Sequence, residues 1–174
     1  MGVVDLDTEE VLGPNQEGEL RVKTDRIMNG YYNQDCQDQF DEEGWFKTGD
    51  IVKYDENCCL FVVDRVKELI KYTSTSVQPA NIERELLKHP SVKQAVVIGK
   101  PHETDGEHPM AIIILNENYK DTTPEEIQKY IEERLLYKEK LRGGVIFVDS
   151  MPMSTSDKVK RRQLKNIILG RKLE

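Results

Sequence analysis

The sequence predicts an α+β fold, and three observations carry that prediction. Residues 66–150 run β-α-β-β-α-β, the split βαβ layout of a small mixed sheet with helices on its face. Residues 1–65 hold strand and turn signals without a helical period. Thr123-Pro124-Glu125-Glu126 is a capping box with proline at the first helical position, which fixes one helix start. The expected division is a β-rich segment at 1–65 and a second domain at 66–174.

In the first segment, Gly13-Pro14-Asn15 is a turn signal. Glu19-Leu20-Arg21-Val22-Lys23 alternates polar and apolar residues and reads as a half-buried strand. Residues 28–50 are loop-rich, with Asn29-Gly30, Asp41-Glu42-Glu43-Gly44 and Thr48-Gly49-Asp50. Strands are expected at 51–54 and 58–63, joined by Asp55-Glu56-Asn57. Little in this stretch covers its apolar side chains, so it reads as part of a sheet whose partners are missing.

In the second segment, 69–72 is a short strand. A helix starts near Pro79, places Ile82 and Leu86 one turn apart, and stops at His89-Pro90. Strands follow at 92–98 and 110–115. The capped helix puts Ile127, Ile131 and Leu135 on one stripe. A closing strand at 145–148, a loop from Ser156 and a basic helix with Leu164 and Ile168 facing inward complete the chain.

The chain has 174 residues and a net charge of -7, enough for one domain, or one domain plus part of another. No run of 18 apolar residues exists, so no membrane span is expected. The first residues lack the charged and apolar regions of a secretory signal. Three cysteines (Cys36, Cys58, Cys59) make no disulfide framework and no C-x-x-C pair, which fits a reducing compartment. His89, His102 and His108 share no metal spacing, so no metal site is expected. Residues 158–173 carry seven lysines and arginines and no acid. Such a run alone reads as a solvated helix face. No aromatic residues interleave with it, so a nucleic-acid partner is not expected.

Three junctions can carry chemistry. A carboxylate at Thr48-Gly49-Asp50 suits a vicinal diol, although a turn-stabilising Asp is the simpler reading. Arg65 and Lys67, in Asp64-Arg65-Val66-Lys67, suit a nucleotide or a surface ion-pair cluster. Lys158, in Ser154-Thr155-Ser156-Asp157-Lys158, either delivers a charge to a phosphate or is one more solvated lysine.

Together these blocks become specific. Gly18-Glu19-Leu20, Gly30-Tyr31-Tyr32, Gly44-Trp45-Phe46-Lys47-Thr48-Gly49-Asp50, Asp64-Arg65-Val66-Lys67-Glu68-Leu69-Ile70-Lys71-Tyr72, Val77-Gln78-Pro79, Lys140-Leu141-Arg142-Gly143-Gly144-Val145 and Pro152 through Lys158 stand in order. The series resembles the C-terminal portion of the adenylate-forming enzymes, nearest the 4-coumarate–CoA ligase and beetle-luciferase-like branch, over about residues 3–168. The resemblance implies the β-rich end of a large N-terminal domain followed by a C-terminal lid. It implies activation of a carboxylic acid with ATP and Mg2+, then transfer to CoA, or oxidation with light emission in luciferases. Asp50 and Arg65 would bind the ribose, Lys67 would be the hinge, Lys158 the adenylation lysine, and Lys71 would face the site in the second half-reaction.

Two residues depart from the family pattern: Ser74 and Asp157 stand where glycine is usual. The first is expected to crowd the thiol path, the second to pair with Lys158. The family's glycine-rich phosphate loop, its adenine-contacting segment and its acid pocket have no counterpart in these residues. The expected function is therefore the C-terminal part of an acid–CoA ligase, inactive alone, binding no cofactor by itself and requiring an N-terminal adenylation domain as partner. The alternatives are a non-catalytic binding module and a luciferase-like monooxygenase fragment. The compartment expected is cytoplasmic. Relatives of this branch are often peroxisomal, but Arg171-Lys172-Leu173-Glu174 lacks the Ser-Lys-Leu address.

Overall fold

The computed structural model describes residues 1–28 and 37–170. Asn29-Gly30, Gly30-Tyr31-Tyr32, Cys36, Arg171 and Lys172 lie outside the described residues. The chain divides into two compact units, Met1–Lys67 and Glu68–Glu174. No helix among the described residues is long and apolar enough to cross a membrane.

The first unit is an antiparallel sheet in the order β1 (Gly2–Val4), β2 (Gly18–Val22), β3 (Phe46–Tyr54), β4 (Leu60–Arg65). Val3, Val4, Ile51 and Val52 are its buried apolar residues. β3 starts earlier than the hydrophobic pattern suggests and takes in Thr48-Gly49-Asp50. Gly49 has φ +72° there, and the β2–β3 register shifts between Glu19 and Arg21. That is the irregularity a glycine permits inside a strand.

The alternation in β2 is inverted relative to its polarity. Glu19 and Arg21 are each only 6% exposed, whereas Leu20 and Val22 are half-buried. Charge pairing reverses the expected pattern, because ion-paired groups can be buried and unpaired ones cannot. On β4, Leu60, Phe61 and Val62 are exposed, Val62 at 71%.

The second unit holds a five-stranded sheet. Its strands are β5 (Ile70–Tyr72), β6 (Thr75–Val77), β7 (Val92–His102), β8 (Gly106–Leu115) and β9 (Gly144–Phe147). The order is β6-β5-β8-β7, with β9 parallel to β8 and the other pairs antiparallel. The helices are α1 (Pro79–Leu86), α2 (Pro124–Glu132) and α3 (Arg161–Ile168).

Two apolar layers cover the two faces of this sheet. Ile82 and Leu86 of α1 and Ile127 and Ile131 of α2 pack on Ala95, Val97, Ala111 and Ile113. Leu164 of α3 packs with Met151 on Val96, Ile98, Met110 and Ile112, with Ile168 against the same layer. Successive residues of β7 and β8 therefore feed opposite faces, which explains their near-continuous apolar runs. Each of the fully buried Ile and Leu side chains contributes about 1.5–3 kcal/mol. The basic helix closes the face that α1 and α2 leave open. In α2 the capping box forms as expected, Glu126 N–H donating to Thr123 Oγ1 (3.3 Å) and Thr123 N–H to Glu126 Oε2 (2.9 Å).

His89 sits at the end of α1, edge-on to Tyr130 at 4.7 Å, with Nδ1 2.7 Å from the hydroxyl of the fully buried Ser91. Burial lowers its pKa, opposed by nearby Glu126 and reinforced by nearby Arg134. A histidine with a depressed folded pKa stabilises above its unfolded value, roughly 6.5, and that stability is lost as pH falls through the folded value. Melting of the protein between pH 7.5 and 5 is expected to show this loss, and His89→Gln to flatten it. An unchanged slope in the variant removes His89 from the account.

Candidate functional site

In the first unit the two residues expected to meet a ribose are brought together. Asp50 and Arg65 are cross-strand partners of β3 and β4, and Arg65 Nε lies 2.9 Å from Asp50 Oδ1. Asp50 is about a third exposed and Arg65 more than half, so both remain open to a ligand.

Backbone geometry aims Asp50. Thr48 Oγ1 donates to Leu20 O (2.7 Å) and accepts from Asp50 N–H (3.1 Å). Gly49 N–H donates to Glu19 Oε1 (3.2 Å). Glu19 is in turn held by Arg21, whose guanidinium also reaches Glu9 and Asp41, each at 3.1 Å. The Asp41 carboxyl is held below the usual carboxylate range by the Trp45 N–H, then by Arg21. Arg21 thus bridges three carboxylates and fixes the strand that carries Asp50. Opposite charges two apart on one strand face were the available signal for it, and the alternation argument assigned both to solvent.

In the second unit Lys158 sits on a short hairpin closed by the Met153–Val159 bridge. Ser154 N–H donates to Lys158 O (2.8 Å), and Lys158 N–H to Ser154 Oγ (3.1 Å). Lys158 is exposed, and its Nζ makes no hydrogen bond or ion pair among the described residues. The expected Asp157–Lys158 ion pair does not form. Asp157 instead adopts φ +54°, the left-handed region that glycine favours and aspartate tolerates. At the other departure the left-handed residue is Thr73 (φ +51°), not Ser74.

Lys71 lies on β5 beside that turn and is exposed, with only its backbone N–H donating, to Glu107 at 3.4 Å. Lys67 is exposed, in a single 3-10 turn at Val66–Glu68, where the two units divide. Near Tyr72 the Arg142 guanidinium stacks between Tyr72 (4.8 Å) and Tyr137 (4.2 Å). Its terminal nitrogens are buried without hydrogen bonds among the described residues. Nothing in the spacing of Arg142 signals this.

The histidines, scattered in sequence, are not all scattered in space. His102 and His108 stack at 3.9 Å across the β7–β8 hairpin, with Asp105 between them. Both strands run past their expected ends, 98 and 110, to build this turn.

Comparison with known proteins agrees with the fold. Residues 81–158 match the AMP-binding enzyme C-terminal domain. Luciferin 4-monooxygenase of Nipponoluciola cruciata is 44% identical over 95% of this chain and 30% of its own length. 4-Coumarate–CoA ligase 1 of Glycine max is 39% identical over 95% of this chain and 57% of its own. ATP-bound MatB from Rhodopseudomonas palustris superimposes with a TM-score of 0.86 at 27% identity, over 98% of this chain and 34% of that one. The architecture is that of the C-terminal portion of adenylate-forming enzymes. Over nearly its whole length the chain is similar to members of that superfamily, and residues 81–158 match its AMP-binding enzyme C-terminal domain. It spans between about a third and somewhat over half the length of these relatives.

Two stability outcomes follow from the site. Arg21→Met leaves the buried Glu19 without its cation and is expected to lower stability; urea unfolding of the first unit measures it. Asp157→Gly is expected to stay within about 0.5 kcal/mol of the parent, whereas Asp157→Val loses about 1–2 kcal/mol to left-handed strain. Equal stability of the two variants contradicts the strain account.

Proposed function

We propose that this chain is the C-terminal part of an ATP-dependent carboxylic acid–CoA ligase, inactive alone and completed by a large N-terminal adenylation domain. The observation that carries this reading is the ammonium of Lys158, exposed on a closed hairpin and without an ion pair among the described residues, whereas Arg161 and Lys165 of the following helix are ion-paired. Support comes also from the exposed apolar strand β4, which a domain edge leaves uncovered.

The residues present fit two ends of ATP. The Asp50 carboxylate accepts hydrogen bonds from the ribose hydroxyls, and Arg65 beside it adds a donor. Lys158 supplies a point charge to the negative charge that grows as a carboxylate attacks the α-phosphate. Lys71 serves the second half-reaction with CoA, and Lys67 is the residue about which the lid turns. The triphosphate loop, the Mg2+ contacts and the acid pocket belong to the missing domain.

A luciferase-like reading rests on one observation, the 42–44% identity to luciferin 4-monooxygenases. Both readings share the adenylation step, so one assay tests their common part. Acid-dependent ATP–pyrophosphate exchange is expected to be absent from the purified chain. It is expected to appear when the chain replaces the C-terminal portion of a 4-coumarate–CoA ligase, and to fall about 100- to 1,000-fold with Lys158→Ala. Exchange by the chain alone, or a folded chimera insensitive to Lys158→Ala, refutes the proposal.

A further inference from the structure

We propose that His102, Asp105 and His108 bind a divalent transition-metal ion of the zinc type at the tip of the β7–β8 hairpin. The site is independent of the adenylation chemistry and uses none of its residues. His102 ends β7, Asp105 lies in the turn, and His108 is on β8, diagonal to His102 on the same face of the hairpin.

The ligand atoms converge. One donor atom from each of the three side chains lies within 4.8 Å of the other two. The carboxylate oxygen is 2.8 Å from His108 Nε2 and 3.6 Å from His102 Nδ1. Zinc–nitrogen and zinc–oxygen bonds of about 2.0–2.1 Å place neighbouring donors of a tetrahedral ion roughly 3.3–3.4 Å apart. These two separations bracket that value, and a turn of the rings out of their stack directs both in-plane nitrogen lone pairs to one ion beside the carboxylate. Two imidazoles and a carboxylate suit zinc, copper or nickel better than magnesium or calcium, which prefer oxygen alone.

A second feature is that the donors are held before any ion arrives. The Asp105 carbonyl accepts from Thr73 N–H (2.8 Å) and Glu107 N–H (3.1 Å), which ties the turn to β5 and to its own strand. Gly106 takes φ +79°, and a Cβ there would meet Lys71 O at 2.8 Å, so the turn fits closely against β5. Thr104 Oγ1 donates to the other carboxylate oxygen, Asp105 Oδ1, at 3.0 Å. The neighbouring acid, Glu107, is occupied by Lys165 (2.8 Å). The two imidazoles are stacked with 20° between their planes, which holds them side by side over the turn. A simple Asp105–His108 hydrogen bond explains one contact but not the placement of His102 over the same carboxylate. Because Thr73 follows the strand that carries Lys71, an ion here also braces that turn.

The test is Zn2+ titration of the full 174-residue chain with Cys36, Cys58 and Cys59 changed to Ser, since thiols compete for zinc. One Zn2+ per chain is expected, displaceable from a chromophoric chelator. Nitrogen-15 NMR of the imidazoles is expected to show shifts at His102 and His108 but not at His89. His102→Ala and His108→Ala, each checked for folding by circular dichroism, are expected to weaken binding by more than the roughly tenfold that loss of an outer-shell partner costs. The NMR arm needs no variant and reads the site even if a substitution unfolds the protein. Absence of saturable binding, ring shifts missing from His102 and His108, or unchanged affinity in the folded variants overturns the site.

Discussion

Glu83 and Arg161 clasp the free edge of β7, and the second unit depends on that grip. β7 pairs only with β8, so the polar groups on its outer edge need partners from elsewhere. Val97 N–H donates to Glu83 Oε1 (2.7 Å), and Arg161 donates to Val97 O (3.1 Å). The two side chains then meet each other at 2.6 Å. Glu83 comes from α1 on one face of the sheet and Arg161 from α3 on the other, so a single ion pair links both layers around an edge that would otherwise invite another strand. Arg161 stands three residues after Lys158. The clasp thereby anchors the downstream end of the Lys158 hairpin, while the Met153–Val159 bridge closes its base.

Arg21, Arg161 and Lys165 brace the fold as ion pairs, with three carboxylates, Glu83 and Glu107 respectively, whereas Arg142 is stacked on two tyrosines. Lys158, Lys71 and Lys67 have ammonium groups with no such partner among the described residues. Desolvating a charge is costly unless a counter-charge is already at hand. A lysine kept exposed and unpaired needs no counter-charge displaced before it meets a ligand, only its own hydration water. Arg65 is intermediate, paired with Asp50 yet open to solvent. Such a pair orients the carboxylate and leaves both groups open to solvent.

Much of this was legible in the residues. The capping box at Thr123, the stripe of Ile127 and Ile131, and the inward Leu164 follow from local periodicity, and the structure places them as that periodicity requires. The polar burial of β2 was not legible, because alternation reports which residues differ, not which face is dry. Arg21 is buried through Glu9 and Asp41, 12 and 20 residues away, and no local window contains that pairing. The histidine cluster was hidden for a related reason. His102 and His108 become neighbours only when β7 and β8 extend past their apolar cores into a hairpin, through the polar stretch Glu103–Glu107 that hydrophobic periodicity cannot score. The Asp50–Arg65 pair stands between these cases: its residues were recognisable by resemblance, but their contact depends on the β3–β4 register.

The two missing glycines separate shape from charge. A left-handed residue is needed for the chain to reverse between Met153 and Val159, and Asp157 supplies it at φ +54°. Closure of the hairpin by its own hydrogen bonds therefore sets the path of the loop, and residue 157 need only tolerate that path. At the β5–β6 turn the left-handed position falls on Thr73, so Ser74 is under no such demand, and the cost of a β-branched residue at φ +51° is carried by a turn that Asp105 helps to hold. What the substitution at 157 does alter is electrostatic. A carboxylate now lies next to Lys158 in sequence without pairing with it, so the loop keeps its form and its free ammonium while its net charge is reduced. A loop of that kind retains the geometry for a phosphate and attracts it less strongly from a distance.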